Sequence, residues 1–335
     1  MLENDLSLLP FLPGSDEAYT NGARIDYGGR ELGARRASSP RTFPFKADGS
    51  CFREGIALGL LMYTPRNLET PDLQQGDRSY AAFLYAARHV TRYKIIDSDV
   101  KQADTFELDL GILGPGAGGR WFQDTAHKLN RIESAIGQKY KRPLGWHHQL
   151  RNEIGIAARL LRQRRVAGAP ATKADRRGDV LAHVGGAAGN IFTWALGGAT
   201  VRYGKNVPND LGPQQKQPSM FTSASSSRQI RAKPRSGWAA YVFAGGEGRL
   251  VLRNAFLDGN LFAANRPDMS VVQKQPFVID GDVGFAVTVP WHLRFTYHYV
   301  MRSPEFKTPL GSPPGRVNNP WHRYGTMALM YGRGL

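Results

Sequence analysis

From Phe285 to Met301 the chain reads FAVTVPWHLRFTYHYVM, and every odd position is apolar or aromatic. The even positions are mostly small or polar, among them Thr288, His292, Arg294, Thr296 and His298. A period of two sustained this long predicts β-strand, with one face against an apolar medium and the other against a polar one. Pro290 cannot donate to a strand ladder, so a tight turn or bulge is expected there. DTFELDLGIL repeats the alternation, setting Phe106, Leu108, Leu110 and Ile112 against Thr105, Glu107 and Asp109. YTNGARIDY sets Tyr19, Ala23, Ile25 and Tyr27 against Thr20, Gly22, Arg24 and Asp26. Weaker versions recur in CFREGIALGLLMY, SYAAFLYAARH, NEIGIAARLL, NIFTWALGGATVRY, GWAAYVFAGG, GRLVLRNAF and YGTMALMYG. About ten to twelve strand candidates result, joined by alternately short and long polar connections. One segment breaks the pattern. After LGPGAGG, the run RWFQDTAHKLNRIESAIGQKY spaces Trp121, Phe122, Ala126, Leu129, Ile132 and Ile136 at near-helical intervals ahead of Pro143, which predicts a helix held in a loop.

Glu107, Asp109 and Arg24 on the inner face would be costly in a sandwich core but natural in a wet lumen. Hydrophobic residues make up 41% of the 335, a low share for a packed soluble protein, while aromatics reach 10% and glycines number 38. That balance suits a barrel with a polar interior and apolar residues facing lipid in alternation. No run of about 18 apolar residues exists, which excludes a transmembrane helix and leaves a closed barrel as the spanning structure. The expectation is therefore all-β, a transmembrane antiparallel β-barrel of about twelve strands forming one domain over residues 1–335. A soluble β-sandwich is the alternative on pattern alone. LSLLPFLP is short, carries prolines and lacks a basic flank, so no signal peptide is expected; either the protein is cytosolic or, the reading favoured here, Met1 is a start added to a mature chain.

A formal charge of +16 implies a polyanionic partner. The basic residues read as loop clusters, in RLLRQRRVAGAPATKADRR and SSSRQIRAKPRSG, and phosphorylated glycolipid would attract such loops as nucleic acid would. A nucleic-acid binder would need aromatics interleaved with Lys and Arg on one face. Here the aromatics alternate with small and polar residues instead. The single cysteine, Cys51, reads as a small wall residue and excludes an intrachain disulfide.

The usual hydrolase motifs are missing: no GxSxG, no HExxH, no CxxC pair, and GPGAGG lacks the Lys-Ser/Thr of a phosphate loop. WHHQ places His147 and His148 in succession, on opposite sides if the segment is a strand. What remains is a set of oxygen-bearing residues near one strand edge, Asn4, Asp5 and Thr20, with His127 distant in sequence. Such oxygens suit a hard cation such as Ca²⁺ better than zinc. A histidine that takes a proton from water, beside a cation that polarises an ester carbonyl, is a workable ester hydrolase without a serine nucleophile. Gln123 lies one turn before His127 on the same helix face. Glu133, six residues on, sits about 240° around an ideal helix and shares that face only if the helix bends or ends first.

ENDLSLLP…GSDEAYTNGARIDY resembles the N-terminal signature of the outer-membrane lipid A 3′-O-deacylases. LGILGPGAGGRWFQDTAHKL is similar to that family's glycine-rich strand end and histidine helix, and GDRSYAAFLY, GWHHQLRNE and RSPEF…HRYG resemble further blocks. The resemblance spans Asn4 to Gly325. It implies a barrel of about twelve strands in a Gram-negative outer membrane, with the loop helix carrying the catalytic histidine. It also implies Ca²⁺-dependent hydrolysis of the 3′-linked acyloxyacyl chain of lipid A. By motif, Asn4 and Asp5 match the Asn-Asp pair that binds or orients Ca²⁺, Thr20 the strand threonine, His127 the water-activating histidine, and Glu133 the acidic residue supporting it. The expected partners are lipid A and outer-membrane lipids, with no nucleic acid and a monomeric barrel. An outer-membrane phospholipase and an inactive porin or lipid-binding barrel are the alternatives. Two departures stand out. YTPRNLETPD offers only Arg66 where some members carry a basic pair, and the chain ends MYGRGL, leaving Tyr331 as the last aromatic.

Overall fold

The computed structural model describes residues 2–4, 21–32, 42–45, 50–96, 99–129, 143–168, 177–212, 238–264, 272–290, 293–307 and 321–331. Twelve strands among them close into one antiparallel barrel. In chain order they are β1 (Leu2–Asn4), β2 (Asn21–Leu32), β3 (Cys51–Tyr63), β4 (Ala81–Ile96), β5 (Asp99–Leu113), β6 (Glu153–Gly168), β7 (Gly178–Gly189), β8 (Phe192–Lys205), β9 (Ala239–Asn254), β11 (Phe277–Val289), β12 (Leu293–Arg302) and β14 (His322–Tyr331). Two short strands, β10 (Gln273–Lys274) and β13 (Phe306–Lys307), pair outside the barrel. Helix α1 (Gly119–Leu129) follows β5, and the single turn α2 (Ala255–Asp258) follows β9. Closure rests on β1, which pairs with both β2 and β14: Asn4 lies opposite Asn21 on one side and Gly325 on the other.

The alternation predicts the two faces well. On β5, Leu108 and Leu110 are exposed on the outside while Glu107 and Asp109 are fully buried inside. On β2, Ile25 and Tyr27 are exposed and Arg24 is buried. Pro290 follows the last residue of β11 and turns the chain towards β12, as its missing donor requires. No helix among the described residues is long and apolar enough to cross a membrane.

The lumen is packed rather than wet, which corrects the expectation. Arg24 donates to both Asp26 and Glu107, and Arg159 bridges Glu107 and Asp109. His89 reaches Asp26 at 3.1 Å. A second series crosses the barrel from Arg78 to Glu305, Arg302, Asp280, Arg249, Glu247 and His183, each link 3.7 Å or shorter. A third ties Arg165, Arg202 and Arg294 to Asp99, Asp179 and Asp210. Taking such charges out of water is costly unless each is paired, and the barrel pairs them across strands. Room for the large interior side chains comes from facing glycines: a Cβ at Gly55 would overlap the His89 ring, and one at Gly59 the Tyr85 ring.

These networks also correct the reading of the first basic run as a loop. Arg159, Arg162 and Arg165 belong to β6, where Arg159 and Arg165 point inward as counterions to lumen carboxylates. Residues 225–237 of the second run lie outside the described residues.

Apolar plugs complete the filling. Towards α2, Phe256 packs on Tyr63 and Phe192, in a cluster with Phe83, Tyr85 and Trp194. At the other end the 206–212 segment enters the mouth, with Leu211 against Tyr93 and Leu181, and Val207 against Tyr241 and Phe243. Connections are not strictly alternate in length: β7 and β8 meet through residues 190–191 at the α1 end, whereas 206–238 is a long excursion at the opposite one.

Candidate functional site

At the end of β5 the sequence GPGAGG becomes a specific turn. Gly114 (φ 99°) and Gly118 (φ 71°) bracket a 3₁₀ turn at Pro115–Ala117, in backbone conformations that favour glycine. The Gly114 amide donates to the Ala82 carbonyl at 2.9 Å, and the Gly116 amide to Asn152 Oδ1 at 2.7 Å. Phe122 N donating to Gly118 O then starts α1. Gly119 must be small, since a Cβ there would lie 2.6 Å from the Trp146 ring and 2.5 Å from the Ala82 methyl.

Trp146 holds the helix. It is buried against Tyr80, with Leu60, Met62, Leu68, Ala82 and Ala117 around it. Its Nε1 donates to Gln123 Oε1 at 2.6 Å, and both residues are almost fully buried. Leu60 and Met62 continue the row of β3 whose members Ile56 and Leu58 are exposed, so this cluster lies on the outer wall. Helix α1 is therefore a brace against the outside of β3 and β4. Its far side shows Trp121 and Phe122 to the surroundings. Burial pushes the Tyr80 hydroxyl up to about 12, with the Asp77 carboxylate adding to the effect. His147 and His148 form a 3₁₀ turn with rings 4.0 Å apart, not the strand that would have separated them.

The ladder registers connect this brace to the N-terminal strand. Asn4 pairs with Asn21, Asn21 with Met62, Met62 with Ala82, and Ala82 O receives the Gly114 amide. Asn4, the residue following Thr20, and the foot of the histidine helix thus share one row across the wall. His127 lies in α1, one turn after Gln123. Asp5, Thr20 and Glu133 lie outside the described residues, as does the part of the expected helix beyond Leu129. Among the described residues no group of three or more His, Cys, Asp or Glu could hold a metal.

Sequence reasoning missed Trp146 and Tyr80 as the residues that seat the helix. The GW of GWHHQ was the only available sign, and it is weak by itself.

The family described as outer membrane protein LpxR matches residues 1–331. The chain belongs to the LpxR family. It is an outer-membrane β-barrel. The solved structure of LpxR from Salmonella typhimurium shares the fold, with a TM-score of 0.67 at 20% identity, over 98% of this chain and 97% of that one. None of the curated proteins matches the sequence. β14 ends on the exposed Tyr331, the last aromatic of the chain.

Proposed function

We propose that this LpxR-family barrel is a lipid A deacylase that hydrolyses the 3′-linked acyloxyacyl ester in a Ca²⁺-dependent reaction. What supports it is the row that joins Asn4, the neighbour of Thr20 and the foot of the His127 helix. Three strand spacings, about 14 Å, separate Ala82 from Asn4. His127 is the ninth residue of α1, about 12 Å along it, so the helix has the length to carry His127 most of that distance.

In this reading the α1 end faces outward, because the long connections 64–80, 114–152, 255–276 and 303–321 all lie there, with the two-residue turn 190–191 the exception. Trp121 and Phe122 then sit at the level of the outer-leaflet headgroups, where aromatic side chains are favoured. His127 takes the proton from the attacking water, with Glu133 supporting the imidazolium that forms. Asp5 and Asn4, with help from Thr20, offer the hard oxygen donors that fit Ca²⁺. When bound, the ion supplies polarisation of the ester carbonyl and charge for the oxyanion. The filled lumen is the observation against a passive porin, since the wall encloses ion pairs and aromatic rings where a channel would run.

Mass spectrometry of lipid A incubated with the detergent-folded protein tests the reading, with Ca²⁺ or chelator, for wild type and His127→Ala. Loss of an acyloxyacyl mass only in the wild-type Ca²⁺ sample is expected. Intact lipid A throughout, from a heat-modifiable folded barrel, overturns it.

A further inference from the structure

A barrel wall is convex, yet the outer face of β5–β7 carries a concave groove of about 590 Å³. The segment 42–45 makes one bank by folding back over the outside of the wall. There Phe45 packs on Phe52 and Val90, and Phe43 meets Phe106 edge-on at 6.2 Å. The floor is Ala158, Gly186 and Ala188, with Leu160 and Phe106 beside them. Registers explain the hollow: Leu108, Ala158 and Ala188 form one outward row and Phe106, Leu160 and Gly186 the next. The small Ala158, Gly186 and Ala188 thus lie beside the larger Leu108, Phe106 and Leu160.

The third row, Asp104, Arg162 and Val184, ends the groove towards the end opposite α1, and here the wall becomes charged. Asp104 accepts from Arg92 Nη2 at 2.6 Å and from Arg162 Nε at 2.7 Å, so two guanidinium groups share one carboxylate. Arg92 is further held by stacking over the Phe45 ring at 5.0 Å. Arg162 is different. Its side chain is 56% exposed, and Nη1 and Nη2 meet no protein partner among the described residues. Arg164, the next outward residue of β6, is also exposed.

We infer that this groove is a binding site for one glycerophospholipid, with an acyl chain along the alanine and glycine floor and the phosphodiester on the free edge of Arg162. The net positive rim at the end of an apolar trough matches an anionic head on a hydrocarbon tail, and a guanidinium fork binds phosphate oxygens in pairs. A neutral lipid would leave that charge unanswered in a low-dielectric setting. The site is on the other leaflet from the proposed ester chemistry and takes an intact lipid as ligand. It therefore stands whether or not the protein cleaves lipid A.

Native mass spectrometry of the full chain, folded in detergent and titrated with dioleoyl phosphatidylglycerol or with dioleoylglycerol, tests it. One tight phosphatidylglycerol adduct per barrel is expected. It should weaken about tenfold or more in Arg162→Gln, equivalent to about 1.4 kcal/mol. Ala188→Leu, which fills the trough and keeps the charges, should weaken it similarly, and dioleoylglycerol should not compete. Heat-modified gel mobility verifies that each variant is folded. Equal adducts on wild type and both variants, or dioleoylglycerol binding as tightly as phosphatidylglycerol, would overturn the proposal in favour of ordinary annular lipid.

Discussion

Inside the barrel, Arg24, Glu107, Arg159 and Asp109 are fully buried and bonded to one another. Outside, at the α1 end, the buried hydrogen bond from Trp146 to Gln123 seats a helix on an apolar wall. The first arrangement holds many charges and leaves them no freedom. The second holds few charges and turns on one amide, whose Oε1 takes the indole N–H. Charge density is thus a poor guide to chemistry in this fold. The lumen charges hold the wall together, and reactive groups are expected where the polar residues border lipid.

The comparison breaks most visibly if catalysis depends on the lumen. His127→Ala should lower deacylation by about 10²–10⁴-fold, the range for losing a general base, with no change in the urea midpoint of unfolding. Glu107→Gln should do the reverse. It leaves Arg24 and Arg159 without their shared carboxylate and should cost about 3–5 kcal/mol of stability. Turnover per folded molecule, measured beside the urea titration, should stay at the wild-type value.

Acid sharpens the contrast. Burial alone would raise the Glu305 carboxyl, but Arg78 and Arg302 outweigh it and hold it at about 2. Arg294 and Arg202 hold Asp210 at about 2 in the same way, again against burial. A carboxyl with a depressed folded pKa stabilises fully above its unfolded value and loses that contribution as pH falls through the folded one. For Glu305 the window therefore runs from 4.5 down to about 2, and the loss is on the order of 3 kcal/mol. Urea midpoints at pH 6 and pH 2 should differ accordingly, and Glu305→Gln should flatten the difference. The smallest effect is expected at the brace. Trp146→Phe keeps the packing and removes the donor to Gln123, costing about 1–3 kcal/mol locally. Faster amide exchange in α1 with unchanged exchange in β7–β9 would show it. Uniform exchange changes would mean that the helix and the wall are one cooperative unit.

The period-two pattern made the wall legible. Glu107 and Asp109 between Leu108 and Leu110 already implied a two-faced strand, and the glycine-rich run before RWFQD already implied a turn into a helix. What it could not convey was the state of the interior. Buried Arg159 and Arg165 look, in a linear reading, like the solvated basic loop they are not, because their carboxylate partners Glu107, Asp109, Asp99 and Asp179 come from other strands.

The candidate site divides in the same way. Asn4, Asp5, Thr20, His127 and Glu133 were nameable from motif alone, whereas the shared row of Asn4, Asn21, Met62 and Ala82 emerges only once strand registers are set. The groove beneath Phe45 had no sign in the sequence at all. Alternation is local, since each residue's face follows from its neighbours two positions away, and so the chain alone determined two-faced strands whose apolar side suits lipid, with a sandwich still open on pattern alone. Pairing is non-local, since register, ion partners and concavity depend on which residues meet across strands, and only the closed tertiary structure decided those.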